Sequence, residues 1–332
     1  MENALKTAFD WKVRKNLDKI KKMSSADQGL ELYHGLGSKV IHFKEAFHGR
    51  SGYTLSLTNT SDPRKHMYFP KFDWPRIINP KLSFPISEQV LEQVKRIEEI
   101  AYTQIEMAVN QYKGDIAALI IEPIQGEGGD NYFRPEFLQT LRKLADKHDF
   151  LLIFDEIQSG LGITGKMWAY QLYDVEPDII AFGKKTHVSG IIAGKRIDEV
   201  KNNVFEESSR INTTFGGNLV DMVRCTRILK IIEEEKLLEN AARVGEIMRE
   251  GLGAIAVESG EVINNVRGKG LMLAFDLPDQ EKRDKMIDLM FENGLLAIKS
   301  GNRSIRFRGM LDTPEQAVKQ ALEIVAQSIP SR

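Results

Sequence analysis

One cysteine, Cys225, stands among 332 residues. This excludes an internal disulfide framework and a multi-cysteine zinc site, and it fits a reducing, cytoplasmic setting. A lone cysteine is most simply a small buried apolar side chain. Charge of one sign is also missing: 46 lysines and arginines stand against 47 aspartates and glutamates, a formal net charge of -1. Nothing therefore favours nucleic acid or an anionic membrane as a partner. No apolar run approaches the ~20 residues of a membrane span, and the amino terminus lacks the basic-then-apolar pattern of a signal peptide. Internal repeats and low-complexity segments are absent as well. With 42% hydrophobic and 28% charged residues, the chain reads as a soluble globular protein. Its length exceeds one ordinary core and predicts two domains.

What is present centres on residues 151–185. Leu151, Leu152, Ile153 and Phe154 form an apolar run that stops at Asp155 and Glu156. A run of this kind suits a parallel strand covered on both faces. Ile179, Ile180, Ala181 and Phe182 form a second run, ending at Gly183 with Lys184 and Lys185 behind it. Ligands gather at the carboxyl ends of strands in open α/β sheets, so an acid and a lysine leaving two such ends can face one bound molecule. Pyridoxal phosphate needs this pair, a lysine to hold it as a Schiff base and a carboxylate to keep its ring nitrogen protonated. Solvated strand caps have the same composition, and spacing alone does not separate the two readings.

Before this centre, Glu2 to Asn16 reads as an amphipathic helix with nothing ahead of it to cap or cover it, the pattern of a fragment. Lys19 to Gly37 reads as a polar loop and Lys39 to Phe43 as a short strand. Phe47, His48, Gly49 and Arg50 follow, able to lay a ring on a flat cofactor and offer a guanidinium to a carboxylate, or simply to turn the chain. Five prolines between Asp62 and Pro85 suggest a long ordered loop. Ser87 to Tyr112 has helical periodicity. A strand lies within Asp115 to Ile124 and leads to Gln125, Gly126, Glu127, Gly128 and Gly129, where glycines permit close backbone approach. Pro135 opens a helix to about His148, making a parallel strand-helix-strand unit with the Leu151 run.

Beyond the lysines, Val188 to Gly194 reads as a further strand, and Thr213, Thr214, Gly216 and Gly217 can donate hydroxyl and amide hydrogen bonds to a phosphate. A single charge-laced helix is expected from Leu219 to about Gly251, with residues 233–236 on its solvated face. The remainder reads as a strand within Val266 to Leu277, a helix near Asp279 to Asn293, short strands at Leu295 to Ile298 and Ser304 to Arg308, and a last helix to about Ile329. Thr313 to Gln316 has the capping-box pattern for that helix.

Five segments taken together, Phe47 to Arg50, Glu122 to Gly129, Phe154 to Gly160, Phe182 to Lys185 and Thr213 to Asn218, resemble the class III, fold type I pyridoxal phosphate aminotransferases from end to end. Phe69 to Pro75 and Gly183 to Thr186 most resemble the L-lysine 6-transaminase branch of that class. The resemblance implies an α/β fold: a large domain with a mostly parallel sheet flanked by helices, over residues 1–222, and a long linking helix with a small α+β domain, over 223–332. It implies a homodimer. It makes Lys184 the Schiff-base lysine, with Lys185 structural, Asp155 the partner of the ring nitrogen, Gln158 a contact of the ring's 3-oxygen and Phe47 the stacking ring. Thr214 would reach the phosphate of the neighbouring subunit's cofactor, and Glu122 belongs to the same lining.

For substrates, the resemblance implies L-lysine and 2-oxoglutarate, converted to 2-aminoadipate 6-semialdehyde and glutamate. Arg50 would hold the carboxylate of lysine and the distal carboxylate of 2-oxoglutarate. Arg306 would take the α-carboxylate once Glu127, which masks it, moves away; Arg308 is a rival for that place. Ornithine, 4-aminobutyrate or another ω-amine is an alternative donor. Two departures stand out. Leu219 replaces the proline usual after Gly-Gly-Asn, and the phosphate-binding loop expected ahead of Glu2 to Lys6 is missing. A non-catalytic remnant is therefore a further alternative, and the chain as given is expected to bind the cofactor weakly.

Overall fold

The computed structural model describes residues 1–22 and 36–330; most of the loop expected over 19–37 lies outside them. Ten strands form two sheets. Strands β1 (Lys39–Phe43), β2 (Arg76–Ile77), β3 (Ile116–Ile121), β4 (Leu151–Asp155), β5 (Ile179–Phe182) and β6 (Gly190–Ala193) make a six-stranded sheet in the order β2-β1-β3-β4-β5-β6. All of its pairs are parallel except β5 with β6. Strands β7 (Asn264–Lys269), β8 (Met272–Asp276), β9 (Ile298–Ser300) and β10 (Ser304–Arg308) make an antiparallel sheet in the order β7-β8-β10-β9.

The unbroken apolar runs follow from cover on both faces. Along β3 and β4, Leu119, Ile121, Leu152 and Phe154 join a core with Phe137 and Leu141 of helix α4 (Pro135–His148) and Ile105 of α3 (Glu88–Gln111). Their neighbours Ile120, Leu151 and Ile153 pack on the other side with Leu5, Ala8 and Trp11 of α1 (Glu2–Lys22). Successive strand residues point to opposite faces, so both sets must be apolar. Helix α3 begins at Ser87, whose side chain accepts from the Val90 amide, and α4 begins with Pro135 at its first turn. The proline-rich loop is ordered by a stack of rings: Phe72 lies on Trp74 with centroids 5.1 Å apart, and Tyr53 (from α2, Gly52–Leu57) and Phe9 join them.

The sequence reading needs correction in the last third. The single helix expected from Leu219 is two, α5 (Leu219–Glu234) and α6 (Leu237–Glu258), because Lys236 adopts a left-handed conformation with φ 52°. Residues 233–236 thus form a corner rather than a helix face. The strand sought in 266–277 is a hairpin of β7 and β8 turning at Gly270. The capping box is not made: Thr313 Oγ1 donates to the Met310 carbonyl at 2.6 Å, and α8 (Glu315–Gln327) has no side-chain cap. Helix α7 (Gln280–Glu292) is capped by Asp279, whose side chain accepts from the Lys282 amide. Cys225 on α5 is only partly buried.

The β7–β8 turn packs closely on two sides. Gly245 of α6 faces the Gly270 turn, where an added Cβ would fall 2.1 Å from the Gly270 carbonyl oxygen. The turn itself presses on Ile163 and Thr164, and the Leu271 amide donates to the Ile163 carbonyl at 2.8 Å. Gly245→Ala should therefore destabilise the protein by about 2 kcal/mol, the usual scale of overpacking. Urea unfolding is the check, with a fall in midpoint at unchanged slope as the expected result.

Candidate active site

Three carboxyl ends of the parallel sheet meet at two buried carboxylates. Asp155 closes β4 and is 4% exposed. Its Oδ1 accepts from the Ile157 amide at 3.1 Å, and its Oδ2 lies 2.8 Å from His48 Nδ1. His48 sits in the loop after β1, where Thr58 Oγ1 accepts from the amides of His48 and Gly49 and donates to the Gly49 carbonyl. Glu122, just past β3, accepts from the Phe47 amide at 2.9 Å and the Gly126 amide at 3.0 Å. Phe47 is thus held between the β1 and β3 ends, half-buried. His48 was visible in the sequence only as part of the Phe47 to Arg50 segment. Nothing in its spacing indicated that it would be the partner of Asp155.

The two lysines behind β5 have opposite environments. Lys185 is half-buried and donates to the carbonyls of Gln158 at 2.7 Å and Gly160 at 2.9 Å. Burial, with the charges of Lys184 and Arg308, lowers its pKa to about 7. Lys184 occupies a left-handed position with φ 60°, which a non-glycine residue adopts at a cost. Its amine makes no hydrogen bond among the described residues. Partial desolvation lowers its pKa, Asp155 and Glu122 oppose this, and Arg306 and Arg308 add to it. The residue is exposed at its edge, and desolvation sets the direction of the shift, because the larger of the charge effects, those of Asp155 and Glu122, oppose it. Glu156, the other acid at the β4 end, accepts from Ser159 Oγ and the amides of Ala169 and Tyr170. It is committed to holding the following loop.

Lys184 opens onto a cleft of about 540 Å³, lined also by Gln158, Arg306 and Arg308 and on its far side by Ile228, Ile231 and Ile232 of α5. Both arginines come from β10, two residues apart on one face. Arg306 Nη2 donates to Glu127 Oε2 at 2.9 Å, while its Nε and Nη1 are buried without a partner. Arg308 is paired with the wholly buried Asp130 and touches Gln158 at 3.4 Å. The structure thus brings Lys184, Gln158, Arg306 and Arg308 to one cleft, with Glu127 behind Arg306, and commits Arg308 to Asp130. The acids come from a loop that must bend tightly: a Cβ on Gly128 would lie 2.0 Å from the Glu45 carbonyl oxygen, so only glycine fits. Arg50 is exposed and makes no ion pair among the described residues; Thr214 is exposed too. Neither lines this cleft.

This donor set fits pyridoxal phosphate. An amine without a partner faces a cleft, and a carboxylate fixed in an ionised geometry by a histidine and an amide lies within electrostatic reach of it.

Glu122 gives the site a measurable pH signature. Burial first, and then the charge of Asp155, push its carboxyl up from 4.5 to about 7, against the pull of His48 and two amides. A carboxyl raised in the folded state leaves stability full below 4.5 and erodes it as pH rises towards 7, because the unfolded chain ionises first. Glu122→Gln should flatten the loss of thermal stability between pH 5 and pH 8, although it gives up one accepted hydrogen bond at every pH. Melting temperatures of the two proteins across that range provide the comparison, and parallel curves would remove Glu122 as their cause.

Residues 1–329 match the family description "Aminotransferase class-III". An L-lysine-epsilon aminotransferase of Amycolatopsis lactamdurans is 46% identical over 333 residues, which cover all of this chain and 71% of that protein. The solved lysine aminotransferase of M. tuberculosis superposes with a TM-score of 0.91 at 46% identity, over 99% of this chain and 72% of that one. A probable 4-aminobutyrate aminotransferase of Caenorhabditis elegans is 35% identical over 93% of this chain and 64% of its own length. With a lysine and an aspartate at neighbouring strand ends beside an arginine-lined cleft, and the family's sequence along nearly its whole length, the chain belongs to the class III, pyridoxal phosphate-dependent aminotransferases.

Proposed function

We propose that the protein transfers the ε-amino group of L-lysine to 2-oxoglutarate, giving 2-aminoadipate 6-semialdehyde and glutamate. The observation that carries this reading is the Arg306 to Glu127 ion pair at the cleft that Lys184 shares. It is supported by 46% identity to proteins named as L-lysine-epsilon aminotransferases. An ω-amine donor and an α-oxo dicarboxylate must use one pocket in turn. Only the second brings a carboxylate next to the reacting carbon, so a guanidinium there has to be covered in one half-reaction and bare in the other.

When bound, pyridoxal phosphate supplies an aldehyde that condenses with amines and a ring that accepts the electron pair left when a C–H proton departs. The chain's residues do the rest. Asp155, oriented by His48, keeps the proton on the ring nitrogen and so keeps the ring electron-poor. Phe47 would stack on the ring and Gln158 would donate to its 3-oxygen. Lys184, with its lowered pKa, is poised to act as a neutral base, taking the proton from the ε-carbon of lysine and returning it. Arg50 binds the carboxylate remote from the reacting centre, a bidentate task for a planar guanidinium. Glu127 covers Arg306 while lysine reacts and leaves it when the α-carboxylate of 2-oxoglutarate arrives. Residues 1–222 form the cofactor-binding unit and 223–332 the small unit in this reading, and the single free cysteine supports a cytoplasmic setting.

Single-turnover half-reactions test the assignment: lysine should react faster than ornithine or 4-aminobutyrate, and Glu127→Ala should raise reactivity towards glutamate relative to lysine. An unchanged ratio would count against the switch.

The active form is a homodimer in the same proposal. Phe215, Leu219, Val220 and Val223, 68–83% exposed, form an apolar stripe on and before α5 next to Thr214. A second copy covering it would bring Thr214 to its neighbour's site. Val223→Glu should shift the protein towards monomer in sedimentation and reduce cofactor affinity with it.

A further inference from the structure

Glu127 does not face the Lys184 cleft alone. Its Oε2 accepts from Arg306, while its Oε1 is in contact with Lys65 Nζ. Lys65 belongs to a short helical turn, Pro63–Lys65, opened by Asp62. In that turn Arg64 takes Asp62 as its own partner, with Nε to Oδ1 at 2.8 Å and Nη2 to Oδ2 at 3.0 Å. Lys65 is thereby left for Glu127.

The two partners lie in different cavities. Arg306 lines the 540 Å³ cleft and Glu127 does not. Glu127 and Lys65 line a separate cavity of about 260 Å³ with Lys299, Ser300, Gly301 and Asn302. The backbone beside the acid is fixed to that side, the Gly301 amide donating to the Glu127 carbonyl at 3.0 Å and Ser300 Oγ to the Gly126 carbonyl at 2.7 Å. The carboxylate thus bridges the two cations, and a side-chain rotation can release Arg306 while Lys65 is kept and the loop stays in place.

We infer that Lys65 is the second seat of Glu127: a positioning residue that receives the carboxylate when a substrate α-carboxylate takes Arg306, and so sets how readily the protein accepts dicarboxylates. This rests on the masking role proposed for Glu127. A carboxylate displaced from Arg306 with no other cation would remain close to the incoming anion and repel it. With Lys65 already on its other oxygen, the displaced carboxylate keeps a counter-charge, and the bare state costs less than it would without one. Both side chains are partly exposed, which keeps the effect modest.

Three proteins loaded with pyridoxal phosphate, wild type, Lys65→Met and Lys65→Arg, are compared in single half-reactions. The ratio of 2-oxoglutarate to lysine reactivity should fall roughly fivefold in Lys65→Met, a change of the size expected for one partly screened ion pair. It should recover in Lys65→Arg. Calorimetric binding of glutarate, which has two carboxylates and no reacting group, should weaken by a similar factor, whereas binding of 6-aminohexanoate should weaken less. Placed on a Glu127→Ala background, Lys65→Met should lose its effect on the ratio. Equal losses in both half-reactions, or an effect that persists without Glu127, would overturn the assignment and make Lys65 structural. If Glu127→Ala by itself leaves the ratio unchanged, the masking role falls and Lys65 falls with it. If Glu127→Ala changes the ratio while Lys65→Met does not, the mask stands and only the second seat is wrong.

Discussion

A negative charge buried at the end of β4 is the constraint from which the rest of the site follows. Asp155 is nearly inaccessible, and an isolated carboxylate there would be too costly to stay ionised. His48 and the Ile157 amide give each of its oxygens a hydrogen-bond partner. To supply His48, the chain after β1 must double back over the sheet, which is why Thr58 ties the amides of residues 48 and 49. Beside Asp155, Glu122 is wholly enclosed, and burial first, with the neighbouring Asp155 second, drives its carboxyl towards the protonated form. One carboxylate and one carboxylic acid at adjacent strand ends are thus a consequence of burying both.

Much of this was legible in the sequence, and for a definite reason. The runs at Ile116, Leu151 and Ile179 are apolar at every position because each strand is covered twice, and a polar residue ending such a run has nowhere to go but the ligand-binding edge. Asp155 and Lys184 could therefore be set at that edge before any coordinates, whereas Gln158 came only through the family resemblance. Arg306 and Glu127 could be paired only through the family resemblance, since 179 residues separate them. His48, Asp130 and Lys65 were not legible at all. Their roles depend on which loops touch, and no local period records that. The break at Lys236 and the unused capping pattern at Thr313 failed differently, because a left-handed residue and a hydrogen bond back to Met310 took the place of the expected helix turn and cap.

Lys184 and Lys185 show how completely surroundings can divide two identical side chains. Both leave the same strand and both have lowered pKa values. Lys185 spends its hydrogen bonds on the carbonyls of Gln158 and Gly160, closing the β4 loop onto the end of β5. The left-handed turn at Lys184 then leaves the first lysine with no carbonyl to donate to. A tight turn accounts for the difference: the Lys185 amide donates back to Gly183 and the His187 amide to Lys184. The strain of a positive φ at a lysine is thereby tied to its freedom, one being the geometric condition of the other.

The small sheet completes the site by delivering cations rather than substrate chemistry of its own. Strand β10 presents Arg306 and Arg308 on one face, and the loop after β3 presents Glu127 and Asp130 to meet them. The two pairs differ in what they can do. Asp130 is wholly buried and its loop is fastened by Arg267, which donates to the carbonyls of Gly129 and Asp130. Breaking Arg308 from Asp130 would strand a buried charge. Glu127 is partly exposed and already touches a second cation, so breaking its bond to Arg306 leaves the acid paired and the buried guanidinium bare for another carboxylate. Of two ion pairs built from one strand and one loop, the first fixes the position of the small sheet and the second is left able to move.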